Sequence, residues 1–167
     1  MKILIIRLSS LGDVVLTTPV PRLLRKKFPN SEIHFITKSE YSDIYINNNN
    51  VNKVINLEQN LKKTIKFLKS EKYDLVIDLH NNLRSNVIKY SLSVKHLTYN
   101  KQFFARWLFS NLKIKLVIKH ITKSYIETLN NLDIEDDDKG LDLFLHEKDL
   151  YDINTVSYTH LRAHETF

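Results

Sequence analysis

The chain has 167 residues, of which 43% are hydrophobic and 26% charged, with no cysteine and a net charge of +6. The lack of cysteine excludes disulfides and thiolate metal sites, and no continuous apolar run reaches the roughly 18 residues of a membrane-spanning helix. We expect a soluble, cytoplasmic protein without a signal peptide, because the apolar run before Arg7 is short. The basic charge is compatible with nucleic acid, an acidic membrane surface or an anionic substrate, and identifies none of them.

Apolar runs of strand length alternate with segments of helical periodicity along the chain. We predict strands at residues 3–8, 32–37, 53–57, 73–79 and 94–99, and the beginning of another at 141–145. Apolar residues recurring at helical spacing predict helices at residues 16–28, 61–68, 83–92 and 121–132. Pro19 and Pro21, near the front of the first helix, predict a kink or a delayed start. This alternation predicts an α/β fold, a doubly wound Rossmann-like parallel sheet.

The segment "RLSSLGD" (residues 7–13) lies between the first predicted strand and the first predicted helix. In a doubly wound sheet, ligands bind beside the carboxyl ends of the strands. We expect Gly12 to permit a tight turn and close approach to a ligand, and the hydroxyls of Ser9 and Ser10 to offer hydrogen bonds. Asp13 at the helix start is compatible with two roles, a helix cap and a functional carboxylate, and the local chemistry leaves both open.

Known phosphate-binding loops fit this segment poorly. A dinucleotide fingerprint needs G-x-G-x-x-G and a P-loop needs G-x-x-x-x-G-K-[ST], whereas this turn contains one glycine. A receiver-type fold would need a lysine at the end of the fifth strand, and "LTYN" (residues 97–100) has none.

Two blocks of the sequence stand at a distinctive spacing. The first, "MKILIIRLSSLGDVVLTTPVPRLLRKKFPNSEIHFIT" (residues 1–37), places S-x-G-D after a short strand and prolines early in the next helix. The second, "YDLVIDLHNNLRSN" (residues 73–86), places a basic residue and a serine shortly after a buried strand. Over most of residues 1–145 the chain resembles the N-terminal half of glycosyltransferase family 9, which includes the ADP-heptose:lipopolysaccharide heptosyltransferases.

The resemblance implies a two-domain GT-B architecture, in which residues 1–155 form the acceptor-side domain. It implies inverting transfer of a heptose or related sugar from a nucleotide-sugar, ADP-heptose being the expected donor, to the lipopolysaccharide core. Asp13 matches the family's catalytic base, and Ser9, Ser10 and Gly12 would orient the acceptor. No metal or other cofactor is expected, because basic side chains and helix N-termini can stabilise the leaving diphosphate.

The expected acceptor is an anionic glycolipid, which gives the basic charge a purpose. Lys38 at the end of the second strand, and Arg84 with Ser85 after "VIDLH", are the candidate contacts to its anionic groups. We expect peripheral contact with the inner membrane and no nucleic-acid partner. Two alternatives remain open, namely a basic nucleic-acid-binding module and a non-catalytic Rossmann-like binding domain.

The segment "VSYTHLRAHETF" (residues 156–167) is expected to be a non-native tail. Residues 156–166 can be back-translated into a string that resembles a transposase sequencing adapter, so we leave residues 156–167 out of the fold prediction, together with the apparent His160/His164 pair. The natural gene is then expected to continue beyond Thr155 into a donor-binding half. We expect the isolated chain to transfer no sugar from ADP-heptose.

Overall fold

A computed structural model describes residues 1–100 and 121–144. Within these residues, the strands form one parallel sheet with the order β3-β2-β1-β4-β5. The predicted doubly wound fold is confirmed, and the ends of each strand lie within 2 residues of the predicted ends. The strands are β1 (Lys2–Ile6), β2 (Glu32–Thr37), β3 (Lys53–Asn56), β4 (Leu75–Asp78) and β5 (Lys95–Thr98).

Helices connect the strands and flank the sheet. They are α1 (Leu11–Leu16), α2 (Pro19–Lys27), α3 (Asp43–Ile46), α4 (Leu61–Ser70), α5 (Leu83–Leu92) and α6 (Ile121–Ile126), with short 3₁₀ helices at Ser39–Tyr41 and Glu127–Leu132. The predicted first helix is divided into α1 and α2, and Pro19 is the first residue of α2, where its missing N–H costs no hydrogen bond. The predicted interruption by proline is thus confirmed.

Residues of β1 alternate between two hydrophobic cores, one on each face of the sheet. Ile3 and Ile5 belong to the core that includes residues of α2, α3 and α6. Leu4 and Ile6 belong to the core that includes residues of α4 and α5. All four are fully buried, which explains why the first strand is an unbroken apolar run.

The strand predicted at residues 141–145 is wrong for residues 141–144, which have no regular secondary structure. Arg22 of α2 and Thr18, the residue before α2, hold this segment instead. Arg22 forms ion pairs with Asp137 and Asp142, and the Asp142 N–H donates to Thr18 Oγ1 at 3.0 Å. Residue 145 and the predicted tail at 156–167 lie outside the described residues.

The order of the strands creates a switch point between β1 and β4. The chain leaves β1 toward β2 on one side and leaves β4 toward β5 on the other, so the two following loops diverge. In doubly wound folds, loops that diverge at such a switch point border the ligand-binding crevice. Across residues 1–100 and 121–144, the helices are too short or too polar to cross a membrane.

Candidate active site

Asp13 lies at the switch point as the third residue of α1. The hydroxyl of Ser10, the residue before the helix, donates to Asp13 Oδ2 at 3.0 Å, and the Ser10 backbone N–H lies 3.5 Å from the same oxygen. Asp13 therefore does support the start of α1, by reaching back to the capping residue.

Arg7 gives Asp13 a second set of contacts that a helix cap does not need. Its Nη2 lies 2.6 Å from Asp13 Oδ2, and its Nη1 donates to the Leu79 carbonyl at 2.6 Å. Because Leu79 follows β4, the buried guanidinium joins the loops after the two central strands. This places the carboxylate at the crevice rather than on an outer surface of α1.

Tyr125 in α6 contacts the other carboxylate oxygen. Its hydroxyl donates to Asp13 Oδ1 at 3.1 Å, and its ring centroid lies 5.3 Å from the Arg7 guanidinium carbon. The Tyr125 ring also packs against Tyr99 with the ring centroids 4.7 Å apart. A residue far along the chain thereby completes the surroundings of Asp13.

The Asp13 side chain is partly accessible, with 31% of its surface exposed. Partial burial alone would raise the pKa of Asp13, but the Arg7 charge and the hydrogen bonds from Ser10 and Tyr125 outweigh it and lower the pKa below its ordinary value. Asp13 is therefore ionised at neutral pH and can accept a hydrogen bond or a proton from a ligand in the crevice.

The loop between β4 and α5 is organised by a fully buried carboxylate, Asp78. Its Oδ1 accepts from the backbone N–H groups of His80 at 3.0 Å and Asn81 at 2.8 Å. Its Oδ2 accepts from the Ser85 hydroxyl at 3.0 Å and lies 3.2 Å from Lys89 Nζ. Ser85 and Lys89 are buried too. The predicted acceptor contact by Ser85 is therefore corrected, since its hydroxyl is inside the fold and already bonded.

The remaining predicted residues of the first loop lie at the crevice. Ser10 and Gly12 are exposed and Ser9 is half-buried. The tight turn expected of Gly12 is absent, because Gly12 is the second residue of α1 and its φ lies outside the left-handed region. An added Cβ at Gly12 would meet no atom within 4 Å, so open space remains above it for a ligand.

The two predicted basic contacts lie at the same edge of the sheet. The Lys38 N–H donates to the Leu8 carbonyl at 3.4 Å, next to the end of β1. The Lys38 ammonium pairs with Glu40 at 3.3 Å. Arg84 is the exposed second residue of α5, and its side chain makes no hydrogen bond or ion pair with other described residues. Arg84 is thus the more available of the two for an anionic ligand.

Sequence reasoning missed Arg7 and Tyr125 as partners of Asp13. The position of Arg7, directly after β1 and six residues before Asp13, was a usable signal. Tyr125 gave none, because only the packing of α6 brings it to the first loop.

One group of described side chains has the spacing of metal ligands, namely Glu32, His34 and Glu71. It lies at the amino edge of the sheet, away from Asp13. Lys2 contacts both carboxylates, and Lys53 Nζ lies 2.7 Å from Glu71. These ammonium groups already neutralise the acids, so the arrangement is better described as an ion-pair network.

Comparison with curated proteins gives a match to "Lipopolysaccharide heptosyltransferase 1" of Campylobacter coli, 30% identical over 107 residues, which are 60% of this chain and 31% of the relative. No protein-family model matches. The chain therefore spans about a third of the length of this curated relative.

Solved structures show the same relationship. A glycosyl transferase family 9 structure from Veillonella parvula matches with a TM-score of 0.70 and 26% identity, over 88% of this chain and 46% of that one. E. coli ADP-heptose lps heptosyltransferase II matches with a TM-score of 0.67 and 19% identity, over 89% of this chain and 48% of that one. The predicted resemblance to one half of glycosyltransferase family 9 is confirmed.

Proposed function

We propose that this chain is the acceptor-side domain of an inverting glycosyltransferase, in which Asp13 is the catalytic base. The enzyme would transfer a heptose or related sugar from a nucleotide-sugar to the lipopolysaccharide core. The observation that carries the proposal is the position of Asp13, an ionised and partly exposed carboxylate at the switch point of the sheet. The names of the similar proteins, which are heptosyltransferases, support the reaction class.

The reaction needs one proton acceptor. An acceptor hydroxyl attacks the anomeric carbon and forms the new C–O bond, while the bond to the nucleoside diphosphate breaks and its electron pair leaves with the diphosphate. The hydroxyl proton passes to the Asp13 carboxylate. Attack on the face opposite the leaving group inverts the configuration at the anomeric carbon.

The low pKa of Asp13 suits this task despite making it a weak base. The carboxylate is ionised at every physiological pH, so none of it is lost to protonation. An alcohol becomes strongly acidic once its oxygen has begun to bond to the sugar, and a weak base then suffices to remove the proton. Arg7 holds the carboxylate in place through its 2.6 Å contact.

The proposed acceptor is an anionic glycolipid bound at the carboxyl edge of the sheet. Arg84 is exposed and unpaired within the described residues, which suits it to bind an anionic group such as a phosphate. Lys38 can contribute if it exchanges its surface pairing with Glu40, an interaction of little stability. Ser9, Ser10 and the open space above Gly12 would accommodate the sugar. In this proposal the domain works in the bacterial cytoplasm, in peripheral contact with the inner membrane.

The nucleotide-sugar donor, ADP-heptose in this proposal, is held by a part of the relatives that this chain does not span. The leaving diphosphate is stabilised there by basic side chains and helix N-termini, without a metal or other cofactor.

A chimera tests the proposal. Residues 1–155 are joined to the C-terminal half of E. coli ADP-heptose lps heptosyltransferase II, and transfer of heptose to heptose-deficient lipopolysaccharide is measured. Transfer by the chimera, lost on Asp13→Asn, supports the proposal. A chimera that binds ADP-heptose and the acceptor but transfers nothing would instead support a non-catalytic binding domain.

A further inference from the structure

The two oxygens of the Asp13 carboxylate have different surroundings. Oδ2 lies 2.6 Å from Arg7 Nη2 and accepts from the Ser10 hydroxyl at 3.0 Å. Oδ1 accepts one hydrogen bond from the described residues, donated by the Tyr125 hydroxyl at 3.1 Å. Each carboxylate oxygen has two lone pairs. Oδ2 is therefore fully engaged, whereas Oδ1 has one acceptor position left.

We propose that Tyr125 is a positioning residue, which orients Asp13 so that Oδ1 takes the proton of the sugar acceptor. The catalytic meaning of this inference rests on the proposed function, but the contact between the two side chains does not. With Oδ2 fixed by Arg7 and Oδ1 by Tyr125, the carboxylate is held at both oxygens and its rotation is restricted. The unused lone pair of Oδ1 then points in one fixed direction.

Packing holds Tyr125 in place for this role. Its residue surface is only 2% exposed, and its ring lies against Tyr99 and beside the Arg7 guanidinium. Burial, followed by the neighbouring Asp13 charge and hydrogen bond, raises the pKa of the Tyr125 hydroxyl in spite of Arg7. The phenol is therefore protonated at physiological pH and can only be the donor in this pair, because an ionised carboxylate only accepts.

The pKa of Asp13 distinguishes a positioning role of Tyr125 from simple core packing. A donor to the ionised form of a carboxyl lowers its pKa. Removing the Tyr125 hydroxyl should therefore weaken the preference of Asp13 for the ionised form, whereas a hydroxyl that only fills space would leave the titration of Asp13 unchanged.

NMR titration of the chain itself tests this inference without any sugar transfer. Aspartate is labelled with ¹³C at the side-chain carboxyl, and the Asp13 signal is assigned by its loss in Asp13→Asn. The chemical shift of this signal is then recorded against pH, and the midpoint of the titration curve gives the pKa of Asp13. We expect Tyr125→Phe to move the midpoint upward by roughly half a pH unit, the equivalent of one modest hydrogen bond. Tyr99→Phe is the matched control, because the Tyr99 ring packs against Tyr125 and its hydroxyl is not among the hydrogen-bond donors to Asp13 in the described residues, so the titration midpoint of Asp13 should be unchanged.

Replacement of Tyr125 by 3,5-difluorotyrosine keeps the ring and makes the phenol a stronger donor. This variant should move the Asp13 midpoint downward, opposite to Phe, and it provides the test if the Phe variant does not fold. Equal midpoints for the wild type and the Tyr125 variants would overturn the inference. The titration does not depend on sugar transfer. If the Asp13 midpoint shifts as expected in the Tyr125 variants but the chimera transfers no heptose, the proposed function is refuted and the inference about Tyr125 is not.

Discussion

The loops after β1 and β4 are each organised by one carboxylate, and the two carboxylates differ in how much of their bonding is satisfied. Asp78 is fully buried, and both its oxygens are occupied by backbone N–H groups, a hydroxyl and an ammonium. Asp13 is 31% exposed on its side chain, with one acceptor position open on Oδ1. The comparison teaches that the acid with complete contacts is structural, while the one with incomplete contacts can act on a ligand.

The two loops are also joined physically. Arg7 pairs with Asp13 and donates to the carbonyl of Leu79, the residue after Asp78. A rigid β4 loop therefore fixes the guanidinium, and the guanidinium fixes the proposed base. The structural acid supports the functional one through Arg7.

The largest expected effect is on catalysis in the chimera. Asp13→Asn keeps the size of the side chain but removes the proton acceptor, so transfer should fall by about 10²–10⁴-fold. The control is Glu71→Gln, which makes the same chemical change at the opposite edge of the sheet. Rates of heptose transfer measure the effect, and similar rates for Asp13→Asn and the unaltered chimera would remove the distinction between the two loops.

A large effect on stability is expected at the other carboxylate. Lys89→Met leaves the buried Asp78 without its cation, and loss of one partner of a buried pair costs about 3–5 kcal/mol of unfolding free energy. Urea denaturation of the chain measures the loss, and the double variant Asp78→Asn/Lys89→Met should regain part of it. A loss of unfolding free energy below about 1 kcal/mol would mean that Asp78, compared with Asp13, has no special structural role.

Much of the fold could be predicted from the sequence, because buried parallel strands are continuous apolar runs. Residues 2–6 and 75–78 show this, and both strands were predicted at nearly their observed positions. The four-residue α3 was not predicted, since it is too short to show periodicity. The apolar residues at 141–145 suggested a strand, but contacts with Arg22 hold the described part of this segment outside the sheet.

The candidate site was predictable only where its residues are close in sequence. The S-x-G-D pattern of Ser10, Gly12 and Asp13 identified the carboxyl end of β1, although these residues begin α1 and do not form the expected turn. Tyr125 depends on tertiary packing, which the sequence pattern does not contain. Ser85 was misassigned because its burial depends on Asp78, and a serine at a helix start looks the same whether it is buried or exposed.

A third carboxylate, Glu71, lies in the ion-pair network at the amino edge of the sheet, and its contribution to stability should depend on pH. Hydrogen bonds from Lys2 and Lys53 lower the pKa of Glu71 from 4.5 to about 2. A lowered carboxyl pKa contributes stability that is present above about pH 4.5 and is lost as the pH falls toward 2. Burial, aided by Lys2, also lowers the pKa of His34 from 6.5, in spite of Glu32, so stability should begin to fall below about pH 6.5 as His34 becomes charged in the unfolded chain.

Glu71→Gln isolates the contribution of the carboxylate. It should cost about 1 kcal/mol at pH 7, as expected for an ion pair at the edge of the protein, and should flatten the stability profile between about pH 4.5 and 2. Thermal unfolding across this pH range measures both effects. A profile that keeps its full acid slope in Glu71→Gln would show that other groups, and not this network, govern acid stability.

The smallest expected effect concerns Arg84, whose exposed side chain makes no hydrogen bond or ion pair with the described residues. Arg84→Ala should leave the unfolding free energy within about 0.5 kcal/mol, while it weakens binding of the chain to heptose-deficient lipopolysaccharide by about three- to tenfold, the equivalent of one exposed charge contact. Lys69→Ala is the control, because it removes an exposed positive charge from the last turn of α4, at the opposite edge. Equal weakening by both variants would mean that the acceptor responds to overall charge, whereas an effect of Arg84 alone would place the anionic group of the acceptor at the loop after β4, beside the crevice that holds Asp13.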